Sequence, residues 1–150
     1  LGNLFADALL AAVPDADVAI GMGARRGGLR ADLPAGALTR GSLYDVFPFD
    51  NRVVRLVLTG VQLQQVLAGE VARRRRGIPS VSGVRVRVTC EADRPELEIV
   101  RSSGARIDAA ETLIVATTDF FATRARFGSR ATPMETTLAS APLVRDAAAG

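Results

Sequence analysis

From Val84 to Cys90 the chain alternates without a break: Val84, Val86, Val88 and Cys90 are apolar, and Arg85, Arg87 and Thr89 between them are polar. A two-residue period does not make an amphipathic helix; it marks a strand with one face buried. It puts Cys90 on the apolar face, which predicts an inert core thiol. Leu97 to Val100 reads as the partner strand. Leu113 to Ala116 is a continuous apolar run, the pattern of a central strand covered on both faces. Asp17–Ile20 and Val53–Leu58 are further strand candidates.

Helical spacing appears elsewhere. Leu4, Phe5, Ala8, Leu9 and Ala12 predict a helix over 3–12, closed by Pro14. Ser42 can cap a short helical turn through Leu43, Tyr44 and Val46, which Pro48 ends. Thr59 and Gln62 have capping-box spacing and open a helix with Leu63, Val66, Leu67 and Val71 on one face. That helix runs into Arg73–Arg76, cations that suit a helix C-terminus. With no aromatic residue interleaved, the run reads as a solvated face rather than a nucleic-acid site. Separate helices and hairpin-like strands predict an α+β fold, a single domain with a mixed β-sheet packed with helices. Residues 1–130 form its body, and 131–150 read as a C-terminal tail or short helix of the same domain.

Composition removes whole classes of chemistry. The chain has no histidine and one cysteine, so no triad with histidine, no histidine zinc site and no internal disulfide can form within it. No catalytic residue and no metal ligand set is read from it. Its longest apolar run, Ala8 to Val13, is far short of the ~20 residues a membrane helix needs. The net charge is +3, and every basic residue is arginine. Arginine suits phosphate and carboxylate, although a compositional bias towards Ala, Arg and Gly gives the same usage. The chain opens on Leu1, directly into a helix pattern and without the charged start of a signal peptide. It reads as a piece cut from a longer protein, and by itself carries no address.

Three segments can carry binding chemistry. Arg25-Arg26-Gly27-Gly28-Leu29-Arg30 joins close backbone approach to flanking cations, though an ordinary turn with solvated arginines has the same look. Phe47-Pro48-Phe49-Asp50-Asn51 and Thr118-Asp119-Phe120-Phe121-Ala122 hold four of the six phenylalanines. Phenylalanines usually fill cores. Two ring faces presented from two loops can also sandwich a flat ligand, and the Asn51 amide, donor and acceptor at once, can read a base edge.

These motifs, taken together, resemble the C-terminal domain of the 5′-nucleotidase and UDP-sugar hydrolase family. Leu1-Gly2-Asn3-Leu4 with Ala6-Asp7-Ala8 is similar to its opening helix. Gly27-Gly28-Leu29-Arg30 is similar to its Gly-Gly-Ile-Arg, and Leu38-Thr39-Arg40-Gly41-Ser42-Leu43-Tyr44 to its Ile-Thr-x-Gly-Asp-Leu-Tyr. Pro48-Phe49-Asp50-Asn51, Leu58-Thr59-Gly60 and Val81-Ser82-Gly83-Val84 follow in the family's order.

The resemblance implies a substrate-recognition domain. Catalysis would belong to an N-terminal metallophosphoesterase domain holding two divalent metals, with no cofactor bound by this chain. Phe49 and Phe120 would clamp the base, Asn51 would contact its edge, and Arg30 would reach the phosphate end. The implied partners are a nucleotide or other phosphorylated small molecule and the chain's own N-terminal catalytic domain, with no nucleic acid and no membrane span. The implied location is periplasmic, secreted or cell-surface. Two positions depart from the pattern. Arg25 stands where the family usually has Asn, and Arg126 falls where its ribose-binding Asp should be. A degenerate domain kept as a structural or protein-interaction module is the alternative.

Overall fold

A computed structural model of the chain describes residues 1–21, 29–72, 79–91, 94–124 and 142–149. The apolar run at 113–116 becomes the middle of a four-stranded sheet. Strand β6 (Thr112–Thr118) lies between β2 (Val53–Thr59) and β1 (Val18–Gly21), and β3 (Ser80–Ser82) closes the far edge. β6 runs parallel to β1 and antiparallel to β2, and β1 is antiparallel to β3, so the sheet is mixed. β4 (Val84–Glu91) and β5 (Arg94–Arg101) form a separate two-stranded antiparallel sheet.

Both faces of the larger sheet are covered. Val18, Ile20, Leu56, Leu58, Leu113 and Val115 point to one side, into a core closed by Leu63 and Leu67 of helix α3 (Gly60–Ala72) and by Val84. Ala19, Val53 and Ala116 point to the other. There they meet Phe5 and Leu9 of α1 (Gly2–Ala12) and Leu43 and Val46 of α2 (Arg40–Val46). This is the α+β, mixed-sheet architecture that the pattern predicts. Helix α1 turns its Phe5–Ala6–Leu9 face inward; Leu4, a quarter-turn away, is exposed.

Two local readings are corrected and one is borne out. The cap of α2 is Thr39, not Ser42: Thr39 Oγ1 accepts the Ser42 N–H at 3.1 Å, and Ser42 Oγ accepts the Thr39 N–H at 3.0 Å. The helix starts at Arg40, so Ser42 sits at the third helical position of a reciprocal capping box. The Thr59–Gln62 box forms as predicted, with the Thr59 N–H donating to Gln62 Oε1 at 2.7 Å. Cys90 is exposed rather than buried. The alternation of β4 is real, but its cover runs out: Val84 is buried, Val86 and Val88 only partly so. Cys90 lies on the projecting end of the hairpin. It is expected to react with a maleimide in the folded chain at close to the rate seen in denaturant; a hundredfold slower reaction would contradict the exposure.

Two of the motif glycines sit where backbone meets backbone. A Cβ on Gly60 would collide with the Asp108 carbonyl, and the Gly60 N–H donates to the Glu111 carbonyl at 2.9 Å. Gly83, between β3 and β4, has φ +79° and packs against the Asp17 carbonyl. Asp17 itself ties three strands together. Its Oδ2 accepts the Ile114 N–H at 2.9 Å, and its Oδ1 is 3.4 Å from Arg101, which also pairs with Glu111. The hydrogen bond to Glu111 pushes the Arg101 pKa above its ordinary value; partial burial opposes this, and the charges of Glu111 and Asp17 reinforce it.

Candidate functional site

The pairing of β2 with β6 brings two of the three candidate segments to one end of the sheet. In this antiparallel register Val53 lies opposite Thr118. Asn51 and Arg52 therefore enter β2 beside the point where Asp119 and Phe120 leave β6. Asp119 fastens the junction: its N–H donates to the Arg52 carbonyl at 3.0 Å, and its Oδ1 accepts the Arg52 N–H at 3.1 Å and the Phe120 N–H at 2.7 Å. Thr118 then caps the short helix α4 (Asp119–Arg124), its Oγ1 accepting the Phe121 N–H at 3.0 Å.

Each segment holds two phenylalanines, and each splits them. Phe47 is 6% exposed and packs on Phe5, with ring centroids 4.9 Å apart; Phe121 is 3% exposed in the opposite core. Phe49 is only partly buried, and Phe120 is 39% exposed. In the first segment the residue between the rings is Pro48. In the second, consecutive helical positions point about 100° apart. The two rings nominated for a ligand are thus the two that the core does not use.

Arg30 belongs to the same end. Leu29 is buried beneath it, the Arg30 N–H donates to the Val46 carbonyl at 3.0 Å, and the guanidinium lies over the Phe49 ring at 4.9 Å. A planar cation on a ring face is a favourable contact. It joins Arg30 to the Phe49 segment, as a site built from both requires. Arg25 and Arg126, the other two sequence-predicted binding residues, lie outside the described residues, as does the Arg73–Arg76 run.

Pattern reading passes over one residue of this region. Helix α5 (Val144–Ala147) carries Arg145, whose guanidinium is 2.6 Å from the Asp50 carboxylate, donates to the Phe49 carbonyl at 3.4 Å and lies 5.1 Å from the Tyr44 ring. Nothing in residues 131–150, which read as a tail or short helix, marks this arginine. Among the described residues no group of three or more His, Cys, Asp and Glu side chains is placed to hold a metal ion. None of the described helices is long and apolar enough to cross a membrane. A cavity of about 260 Å³ between α3 and β5, lined by Leu63, Gln64, Leu97, Ile99 and Ile107, includes none of the candidate binding residues in its lining.

Residues 1–127 match the family described as 5′-nucleotidase, C-terminal domain. The chain is similar to the trifunctional nucleotide phosphoesterase protein YfkN of Bacillus subtilis (strain 168), 31% identical over 130 residues that cover 80% of this chain and 9% of that protein. Endonuclease YhcR of the same organism is 36% identical over 72 residues, 48% of this chain and 6% of its own. Among solved structures, the 5′-nucleotidase precursor from Thermus thermophilus superposes with a TM-score of 0.79 at 23% identity, covering 98% of this chain and 31% of that one. Haemophilus influenzae NAD nucleotidase does so with a TM-score of 0.68 at 22% identity, covering 83% and 24%. These two likenesses establish the fold. The chain spans less than a third of each of these relatives.

Proposed function

This chain belongs to the 5′-nucleotidase C-terminal domain family, and from that premise we propose that it recognises the nucleotide for a metallophosphoesterase that hydrolyses phosphate esters or anhydrides. The two divalent metals and the catalytic groups belong to an N-terminal domain of the longer protein. Residues 1–130 are the recognition body and 131–150 its C-terminal part. The longer protein works in the periplasm, at the cell surface or after secretion.

One observation carries this reading: in both aromatic segments one phenylalanine is spent on the core while the other, Phe49 partly buried and Phe120 exposed, lies outside it at the same sheet end as Asn51 and Arg30. Phe49 and Phe120 stack on the base. Asn51 offers the base edge a donor and an acceptor. Arg30 and Arg25 meet the phosphate end. The relative named as a nucleotide phosphoesterase supports the ligand class.

The test is calorimetric. AMP should bind the isolated chain about 5–150-fold more tightly than ribose 5-phosphate, which lacks the ring, since base stacking contributes ~1–3 kcal/mol. Equal affinities would remove the clamp. The affinity should fall only gently with salt, whereas a groove that neutralises several phosphates loses affinity steeply.

Arg126 sharpens the ligand. It has donors and no acceptor, so it cannot take the hydrogen bonds of a ribose diol as an aspartate does. The favoured ligand carries an acceptor or negative charge there, such as a second phosphate or a carboxylate. Arg126→Asp should improve adenosine binding about threefold to tenfold, one hydrogen bond's worth. Unchanged adenosine affinity would make Arg126 a surface residue. The departures at Arg25 and Arg126 also favour a second reading, a degenerate domain kept as a structural or protein-interaction module. That reading requires that no phosphorylated small molecule binds.

A further inference from the structure

Residues 142–149 lie beyond the stretch that matches the family, yet they are bonded to the loop that carries Phe49 and Asn51. The Val53 N–H donates to the Pro142 carbonyl at 2.9 Å, and the Val144 N–H to the Asn51 carbonyl at 2.9 Å. Leu143 forms a bridge with Arg52. Val144 is 3% exposed in the core with Phe5 and Leu9, so the segment is anchored from below. Arg145 completes the lacing through the Phe49 carbonyl, the Asp50 carboxylate and the Tyr44 ring.

We infer that residues 142–149 brace the base-reading loop and that Arg145 is its positioning residue. The inference rests on the nucleotide reading above and extends it to a residue outside the matched stretch. Between the end of α2 and the start of β2, residues 47–52 make no helix or sheet ladder of their own beyond the single bridge at Arg52. Their geometry is set by what holds them from outside. Asp119 holds Arg52, and Arg145 holds Phe49 and Asp50. Arginine suits this seat: its planar face covers an aromatic ring while donors along its edge meet a carbonyl and a carboxylate. A lysine ammonium supplies the charge without the plane.

The experiment has an arm without ligand and an arm with it. Arg145→Ala should speed hydrogen exchange at the amides of Val53 and Val144. It should also change the emission of Tyr44, which is the chain's one tyrosine in the absence of tryptophan. AMP affinity should fall about threefold to thirtyfold, the range of couplings carried through an intervening element. Arg145→Lys should recover part of the affinity and little of the Tyr44 signal. Asp50→Asn attacks the same contact from an exposed residue, so it remains informative where Arg145→Ala fails to fold. Unaltered exchange in both loop variants overturns the brace. So does faster exchange with unaltered AMP affinity. If the unsubstituted chain binds no AMP while Arg145→Ala still loosens the loop, the nucleotide reading fails and the brace stands.

Discussion

Phe120→Ala is expected to leave the fold intact and to weaken AMP binding about 5–150-fold, while Phe121→Ala, one residue on, should cost about 3–5 kcal/mol of stability. The two side chains are alike in chemistry and neighbours in sequence. They differ in what the helix turn does with them: Phe121 is 3% exposed in the core beneath the sheet, and Phe120 is 39% exposed at its end. Substituting a side chain outside the core usually costs far less stability than truncating a buried one, so the loss at Phe120 should appear mainly in affinity. The same contrast holds between Phe49 and Phe47, although Phe49→Ala also removes the ring under Arg30. Denaturant titration and AMP calorimetry on the four variants give the result. An equal loss of stability at Phe120 and Phe121, or full AMP affinity in Phe120→Ala, would overturn it.

Gly83→Ala should lower stability by about 3 kcal/mol or more. Two costs combine there. The φ of +79° disfavours any side chain by ~1–2 kcal/mol, and the new methyl would overlap the Asp17 carbonyl, against a packed strand that cannot retreat cheaply. Gly60→Ala meets the Asp108 carbonyl without the left-handed backbone, and alanine's better helix propensity offsets part of the overlap. It should therefore be the milder of the two. Urea midpoints at constant m-value rank them; a Gly83→Ala chain as stable as the parent would mean that Asp17 shifts freely.

Both glycines belong to motifs that the sequence displays, but a motif letter does not say which backbone it touches. Periodicity reveals the strands and helices because each buries one face against something: β4 by its alternation, β6 by its unbroken run. It does not reveal how far the cover over β4 extends, since that depends on where α3 and the core end, and so alternation alone puts Cys90 inside. Thr39 and Ser42 are both hydroxyls at capping spacing, and only the start of the helix at Arg40 assigns their roles. For the site, chemistry alone does not separate Phe47 from Phe49; resemblance to the family does. Arg145 is out of reach of pattern reading because its partners, Tyr44, Phe49 and Asp50, lie about a hundred residues away along the chain.

The strand order also dictates a timetable. Among the described residues, β2 has one strand neighbour in the larger sheet, β6, and β6 is the last of the described strands to be translated. The hydrogen-bonding groups of β2 that face β6 must wait until residue 118 has left the ribosome. Closing the β1–β6 pair joins Val18 to Val115, a long loop whose entropy is lost before any contact repays it. The β4–β5 hairpin has no such delay and can form while the sheet is still incomplete. Folding of this chain is therefore expected to be two-paced, an early local hairpin and a late closure, with the β1 and β2 edges that face β6 open to wrong pairing until it arrives.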